Sequence, residues 1–285
     1  MVRSMRSPLA HKLRKGFDAV AALTAPFLPP DRTFPAAQTL AALTSAPLHR
    51  LGWNPAVNHD GAHAVLLREW AGAYTRRRPF PIHVTVENEA AIRALHDHSP
   101  GLIWVSAHNI GNNLAARVLT DWQWPNVAIA RGAWPIWGLH RQMTVIAPSP
   151  RCLVAAKRAL ASGASVLCEI DQRDAERTRA SSHMFSLARL TGAPLIFFRG
   201  EAHNGQARVR TALGPSAGLP RDRYIAQART LFEDFVRSWG GPPLVWDDLL
   251  PLHVQDSGTT VGPVPARQPG AQLRRAGRQL QLDRS

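Results

Sequence analysis

The stretch that decides the fold is Leu102-Ile103-Trp104-Val105-Ser106-Ala107-His108-Asn109-Ile110-Gly111-Asn112-Asn113-Leu114. Its first six residues are mostly apolar and β-favouring, and they predict a short buried strand. A histidine and a Gly/Asn turn follow, and the apolar period from Leu114 predicts a helix. Open α/β sheets bind ligands where a strand ends beside a helix start, so His108 is a candidate general base. The alternative is a core histidine bonded to a backbone carbonyl.

The helix start after His108 is a candidate anion-binding element. Backbone N–H groups at such a position can hold an anion or a developing oxyanion. The sequence therefore predicts a base and an anion-binding element at one edge of a sheet.

Length and composition limit the classes of protein that fit. The chain has 285 residues, of which 45% are hydrophobic, enough for one large α/β domain or two small ones. The formal net charge of +14 and the pI of about 11.4 indicate a polyanionic partner: nucleic acid, an anionic membrane surface or an acidic substrate. Two cysteines form neither a disulfide framework nor a metal-ligand pattern, so no metal site is expected.

From residue 82 onward, strand and helix patterns alternate. This alternation predicts an α/β fold with a mostly parallel sheet flanked by helices on both faces, preceded by an N-terminal helical segment. The predicted strands are 82–86, 102–107, 126–130, 144–147, 165–170 and 194–199, with 206–212 as an antiparallel neighbour. The predicted helices are 36–48, 60–74, 88–98, 113–122, 150–162, 185–191 and 221–239.

Three segments are expected. Residues 1–35 are basic and apolar, but their longest apolar run is short and carries Asp18, so a helix lying on a membrane surface fits better than a spanning helix or a signal peptide. An ordinary helix packed on the domain remains the alternative. Residues 36–254 form the α/β domain. Residues 255–285 are rich in Gly, Pro, Gln and Arg, and we expect a disordered basic tail.

Three predicted strand ends carry polar side chains that could meet. His108 follows one strand, Arg131 a second, and Asp171 with Gln172 a third. Because parallel strands end at the same edge, we expect these groups to converge there. An arginine beside a histidine suits a phosphate or phosphopantetheine group. The sequence has no Gly-rich dinucleotide motif, no phosphate-binding loop with lysine and no Gly-x-Ser-x-Gly, which excludes those common enzyme classes as first choices.

The order of these pieces resembles the late acyltransferases of lipid A biosynthesis, within the wider glycerophosphate and lysophospholipid acyltransferase-like group. The resemblance covers about residues 84–246. It rests on Ser106-Ala107-His108-Asn109-Ile110-Gly111-Asn112-Asn113, Ala130-Arg131, Ile170-Asp171-Gln172 and Leu187-Ala188-Arg189-Leu190-Thr191-Gly192-Ala193-Pro194. The last stretch, with the Asp-Gln pair about twenty residues before it, is the most specific part.

The resemblance implies transfer of a fatty acyl chain from an acyl carrier protein or coenzyme A thioester to a hydroxyl of a lipid or glycolipid acceptor. It implies His108 as the base, with substrate-binding roles for Arg131, Asp171, Gln172 and Asn112. It also implies a protein at the cytoplasmic face of an inner membrane, peripheral or weakly anchored. No cofactor is expected besides the thioester co-substrate, and no nucleic acid, since the basic residues form no recognised nucleic-acid-binding motif.

One position departs from the family pattern. In the family a carboxylate five residues after the histidine orients the imidazole, whereas the corresponding residue here is Asn113. Three outcomes follow from this: Asn113 orients the ring as an amide, another carboxylate such as Asp171 takes over, or the chain has lost catalysis. In the last case it binds acyl chains or an acyl carrier protein.

Overall fold

The computed structural model describes residues 8–51, 61–99, 101–132, 134–173, 177–203 and 206–248. These residues fall within the contact unit Met1–Val254. The predicted tail 255–285 lies outside the described residues. The helices in this part of the chain are α1 Pro8–Thr24, α2 Pro30–Arg50, α3 Ala62–Thr75, α4 Glu89–His98, α5 Asn113–Asp121, α6 Cys152–Ala161, α7 His183–Thr191 and α8 Arg221–Ser238.

Seven strands form the main sheet, in the order β1-β9-β8-β2-β5-β3-β4. The five strands β2, β3, β4, β5 and β8 run parallel, whereas β9 pairs antiparallel with β8. The predicted α/β class is therefore confirmed, together with the antiparallel neighbour of β8. The strands are β1 Val84–Val86, β2 Ile103–Ser106, β3 Asn126–Ile129, β4 Thr144–Ile146, β5 Ser165–Glu169, β8 Leu195–His203 and β9 Gln206–Leu213.

Alternation along the central strands builds a core on each face of the sheet. In β2, Trp104 packs into one hydrophobic cluster while Ile103 and Val105 pack into the other. Successive side chains of a strand point to opposite faces, so an uninterrupted apolar strand must be covered on both sides. Residues of α3 and α5 cover the Trp104 face, and residues of α6, α7 and α8 cover the opposite face. This arrangement places β2 in the middle of the molecule.

The N-terminal helices differ from the sequence expectation in their extent. Helix α2 begins at Pro30 and runs to Arg50, so the expected segment boundary at residue 35 falls inside it. Proline is tolerated in a first helical turn because its missing N–H has no intrahelical partner there, which lets Pro30 start the helix. Helices α2 and α3 pack against each other, and α1 packs on both. Among the described residues, no helix has the length and apolarity that crossing a membrane requires.

A small second sheet, in the order β10-β7-β6, was not predicted. It consists of β6 Asp171–Arg173, β7 Thr178–Ala180 and β10 Leu244–Trp246. A single residue separates the end of β5 from the start of β6, which pairs antiparallel with β7, with Asp171 opposite Ala180. The polar run that begins at Asp171 is thus ordered by strand pairing, and the first carboxylate of β6 is held directly beyond the edge of the main sheet.

Candidate active site at the ends of the central strands

The ends of β2 and β5 position the candidate base. The two strands are parallel neighbours, with Ser106 opposite Glu169 at their last residues. Two residues beyond Ser106 the chain reaches His108, and two residues beyond Glu169 it reaches Asp171. Because both strands end at the same height, the side chains that follow them meet at one place, as expected for the carboxyl edge of a parallel sheet.

Asp171 holds one side of the His108 imidazole. Its Oδ1 lies 2.9 Å from His108 Nδ1 and also accepts the backbone N–H of His108 at 2.5 Å. The Asp171 side chain is only 1% exposed. A buried carboxylate on Nδ1 fixes the ring orientation and keeps a proton on that nitrogen, as in histidine-based catalytic triads. The structure therefore brings together two of the residues that the sequence nominated.

Glu169 holds the other side of the ring. Its Oε2 lies 3.4 Å from His108 Nε2, which exceeds the usual hydrogen-bond length and makes this the looser of the two contacts. Oε1 of Glu169 accepts Asn112 Nδ2 at 2.7 Å and the backbone N–H of Asn109 at 3.4 Å. One oxygen of the carboxylate is thus fixed by the turn after His108, and the other faces the imidazole.

These contacts set the charges of the site. Burial favours neutral imidazole, but the negative charges of Glu169 and Asp171 and the hydrogen bonds that Asp171 accepts from His108 outweigh it and raise the pKa of His108 to about 9. Burial also raises the pKa of Glu169 above its ordinary value, with His108 and Asn112 opposing the shift. The imidazole is thus protonated at neutral pH in the structure as it stands, and Glu169 is a carboxylate with an unusually high proton affinity.

Asn112 ties together the turn after β2, the end of β5 and the interior of β8. Its amide donates to Ala107 O at 2.8 Å and to Glu169, and its Oδ1 accepts the N–H of Gly200 in β8 at 3.3 Å. The side chain is fully buried. Gly111 and Gly200 touch through their backbones, since a Cβ built on Gly111 would lie 2.1 Å from Gly200 O. The turn that carries His108 can therefore lie flat on β8 only because both positions are glycine.

Two backbone N–H groups of this turn already donate hydrogen bonds within the turn. Asn109 Oδ1 accepts the N–H of Gly111 at 2.6 Å, and Asn109 O accepts the N–H of Asn112 at 3.0 Å. A short 3₁₀ turn, Ile110–Asn112, precedes α5. The sequence indicated an anion-binding helix start here, but two of these donors already have acceptors within the chain.

The other nominated residues lie around this centre. Asn113 begins α5 and is half-buried, while the carboxylates on the imidazole come from the β5 end and the start of β6. Arg131 follows β3, the neighbour of β5, and is exposed. Gln172 lies in β6, and its Oε1 is buried without a donor among the described residues. The predicted roles of Arg131 and Gln172 in binding substrate, and of Asn113 in orienting His108, stay predictions.

Glu169 is the functional residue that sequence reasoning missed. It lies within the stretch 165–170, whose pattern predicts a buried strand and no site residue. The available signal was its charge: an acidic residue inside an otherwise apolar strand needs a partner, because burying an unpaired carboxylate is costly. That partner lies 61 positions earlier in the chain, at His108.

The three ionisable groups do not form a metal site. Asp171 and Glu169 contact opposite nitrogens of the imidazole instead of converging on one point. Among the described residues, no group of three or more His, Cys, Asp or Glu side chains is arranged to hold a metal ion.

A cavity of about 320 Å³ adjoins the His108 turn. Its walls include Asn109, Ile110 and Gly111 from that turn, Gly200 from β8, and Trp137. Its size lies at the lower end of the range for small-molecule pockets. It gives a ligand room beside the turn that carries the candidate base.

Comparison with models of known protein families and with curated proteins finds no match to this chain.

Proposed function

We propose that this chain transfers an acyl group from a thioester to a hydroxyl of a lipid-like acceptor, with His108 as the general base. The observation that carries the proposal is the His108 imidazole, oriented on Nδ1 by buried Asp171 at the edge of a parallel sheet. A base oriented by a third group is the general device for activating a hydroxyl nucleophile. The resemblance in the motifs around His108 and Asp171 supplies the acyl-thioester chemistry.

In the proposed reaction, the acceptor hydroxyl replaces Glu169 at His108 Nε2. The 3.4 Å contact there is longer than the 2.9 Å contact of Nδ1 with Asp171, so it is the one to be exchanged. The imidazole first releases its Nε2 proton to solvent, and the neutral ring then takes the hydroxyl proton as the oxygen attacks the thioester carbonyl. The carbon–sulfur bond then breaks, and the proton passes from the imidazolium to the departing thiolate. Asp171 stabilises the imidazolium through this cycle.

A second candidate function follows from the same contacts. Both imidazole nitrogens face carboxylates, and a pKa of about 9 keeps the ring protonated at neutral pH, which opposes its use as a base. In that alternative the charged cluster joins β2 to β5, and the protein binds acyl chains or an acyl carrier protein with little turnover. The acidic surface of a carrier protein would complement the net charge of +14.

The test measures thioester consumption with long-chain acyl carrier protein or acyl-coenzyme A as donor and a lipid extract as acceptor. We expect turnover by the wild type, at least a hundredfold loss in His108→Ala, and wild-type rates in the control His98→Ala, an exposed histidine on α4. Turnover only after Asn113→Glu would favour the lapsed-catalysis candidate. Equal rates in wild type and His108→Ala would remove the proposed mechanism.

We further propose that the N-terminal helices lie on an anionic membrane surface. Val20, Leu23 and Phe27 are spaced by three and four residues, and the last two are 69% and 86% exposed. Exposed Lys12 and Lys15 lie on α1 with Val20 and Leu23, and Phe27 lies in the 3₁₀ turn Ala25–Phe27 that follows it. Apolar side chains beside lysines fit an interfacial helix.

Sedimentation with vesicles containing anionic lipid tests this placement. We expect wild type to bind and the double variant Leu23→Ser, Phe27→Ser to lose most of that binding. Leu190→Ser, which removes an equally exposed leucine from α7, is the matched control. Equal loss in the control and the double variant would contradict the placement.

A further inference from the structure

A second and larger cleft lies between α3 and the segment 135–142. Its volume is about 700 Å³, within the range of sites that hold small organic ligands. Residues 135 and 142 pair as an isolated antiparallel bridge, so the segment forms a hairpin-like wall opposite the helix. The residues that hold the His108 imidazole, Asp171 and Glu169, do not line this cleft.

The rim of the cleft is cationic. Arg68 and Arg76 come from the α3 side, and Arg141 comes from the opposite wall. All three are exposed, and none forms a salt bridge with another residue of the described chain. Glu69 is the one acidic residue in the lining. Arginines on two facing walls favour an anionic group such as phosphate or carboxylate, which a guanidinium can bind through two hydrogen bonds.

The floor of the cleft is apolar. Ala71, Ile136 and Trp137 are buried, and Leu139 is half-buried beside them. A ligand that fits both floor and rim carries an apolar body and an anionic group.

Gly72 gives a position from which a larger side chain would fill the cleft. It lies in the interior of α3 and lines the cleft, and a Cβ built on it would meet nothing within 4 Å. Neither a close contact nor a left-handed backbone requires glycine there, since the positive-φ glycines are at other positions. Glycine inside a helix costs about 1 kcal/mol relative to alanine.

We propose that this cleft binds an amphiphile in which an alkyl chain or comparable apolar body is joined to a phosphate or carboxylate. The arginine rim takes the anionic group, and the floor around Trp137 takes the apolar part. Trp137 also lines the smaller cavity beside the His108 turn, so the two spaces share a wall. Binding here does not depend on acyl transfer at His108.

Equilibrium titration with dodecyl phosphate, below its micelle concentration, tests the proposal directly. We expect saturable binding to the full chain, with at least about tenfold weaker binding in Gly72→Leu, because the new side chain fills the cleft. The control is Gly218→Leu, at an exposed turn glycine whose Cβ would also meet nothing within 4 Å. Leucine has a better helix propensity than glycine, so Gly72→Leu should not lower the thermal midpoint, and a loss of binding then reports the cleft.

Two further probes distinguish the contribution of the anionic head group to binding from that of the alkyl chain. Dodecyl maltoside, which has the chain without the charge, should bind at least about tenfold more weakly than dodecyl phosphate, and Arg141→Ala should reduce that difference. Inorganic phosphate alone should not displace the amphiphile at millimolar concentration. Equal affinity for the two amphiphiles, displacement by phosphate alone, or unchanged binding in Gly72→Leu would each overturn the proposal.

Discussion

Two histidines twelve positions apart show how surroundings set the chemistry of one side chain. His108 lies between two carboxylates at the edge of the sheet, and its pKa is raised to about 9. His96, on α4, stacks on Trp124 with ring centroids 3.7 Å apart and planes 4° apart, and burial lowers its pKa, partly offset by Asp97. One ring holds a proton tightly and the other gives it up easily. Local sequence does not distinguish them, because the partners of His108 come from distant strands.

The largest expected effect on the rate comes from neutralising the carboxylate beside His108, compared with the same change beside His96. Asp171→Asn should reduce acyl transfer at pH 7 by about 10²–10⁴-fold, because an amide can stabilise the wrong imidazole tautomer, as in the comparable change in a serine protease triad. Asp97→Asn, the equivalent change beside His96, should leave the rate within twofold. The measurement is kcat with a saturating thioester donor. Similar rates in the two variants would show that the carboxylate at His108 is not part of the machinery.

The second effect is on stability as a function of pH. The folded protein binds a proton at His108 up to a pH of about 9, whereas the unfolded chain releases it near 6.5. This group therefore contributes fully below pH 6.5, and its contribution, about 3 kcal/mol at most, is lost as the pH rises through 9. Urea denaturation at several pH values should show that loss in the wild type and a much smaller one in His108→Gln. Parallel curves for the two proteins would contradict the raised pKa.

The third effect separates the two carboxylates. Glu169→Gln keeps the shape of the side chain and an acceptor for Asn112 but removes the charge beside Nε2. The pKa of His108 should fall by about one unit or more, and the rising limb of the pH–rate profile should move to lower pH by the same amount. Because Asp171 still orients the ring, the maximal rate should stay near that of the wild type. A fall in the plateau with no movement of the limb would assign Glu169 a different role.

The smallest effect concerns the His96 stack. Trp124→Ala should destabilise the protein by about 1 kcal/mol through loss of the ring contact, and the pKa of His96 should rise towards its ordinary value as water reaches the ring. The ring signals of both histidines in an NMR titration report this change, with His108 as the internal reference. If the His96 resonance titrates unchanged in the variant, the stack does not cause its lowered pKa.

Prediction from sequence succeeded where the pattern is local. The apolar run before His108, the Gly192 turn after α7 and the long amphipathic stripe of α8 each specify an element by spacing alone, and the structure has these elements at nearly the predicted bounds. The short strands of the second sheet were not predicted, because Asp171–Arg173 and Thr178–Ala180 are largely polar and lack the apolar run or alternation that predicts a strand. They are ordered by pairing with one another.

For the candidate site too, some features follow from local sequence and others only from the tertiary structure. The sequence by itself determined that His108 ends a buried strand and that Asp171 follows another, since each statement depends only on neighbouring residues. Only the tertiary structure decided that β2 lies directly beside β5, and hence that Asp171 and Glu169 both contact the imidazole. The order of strands in a sheet is set by which faces can be buried together, a property of the whole chain. The charge state of His108 follows from that order.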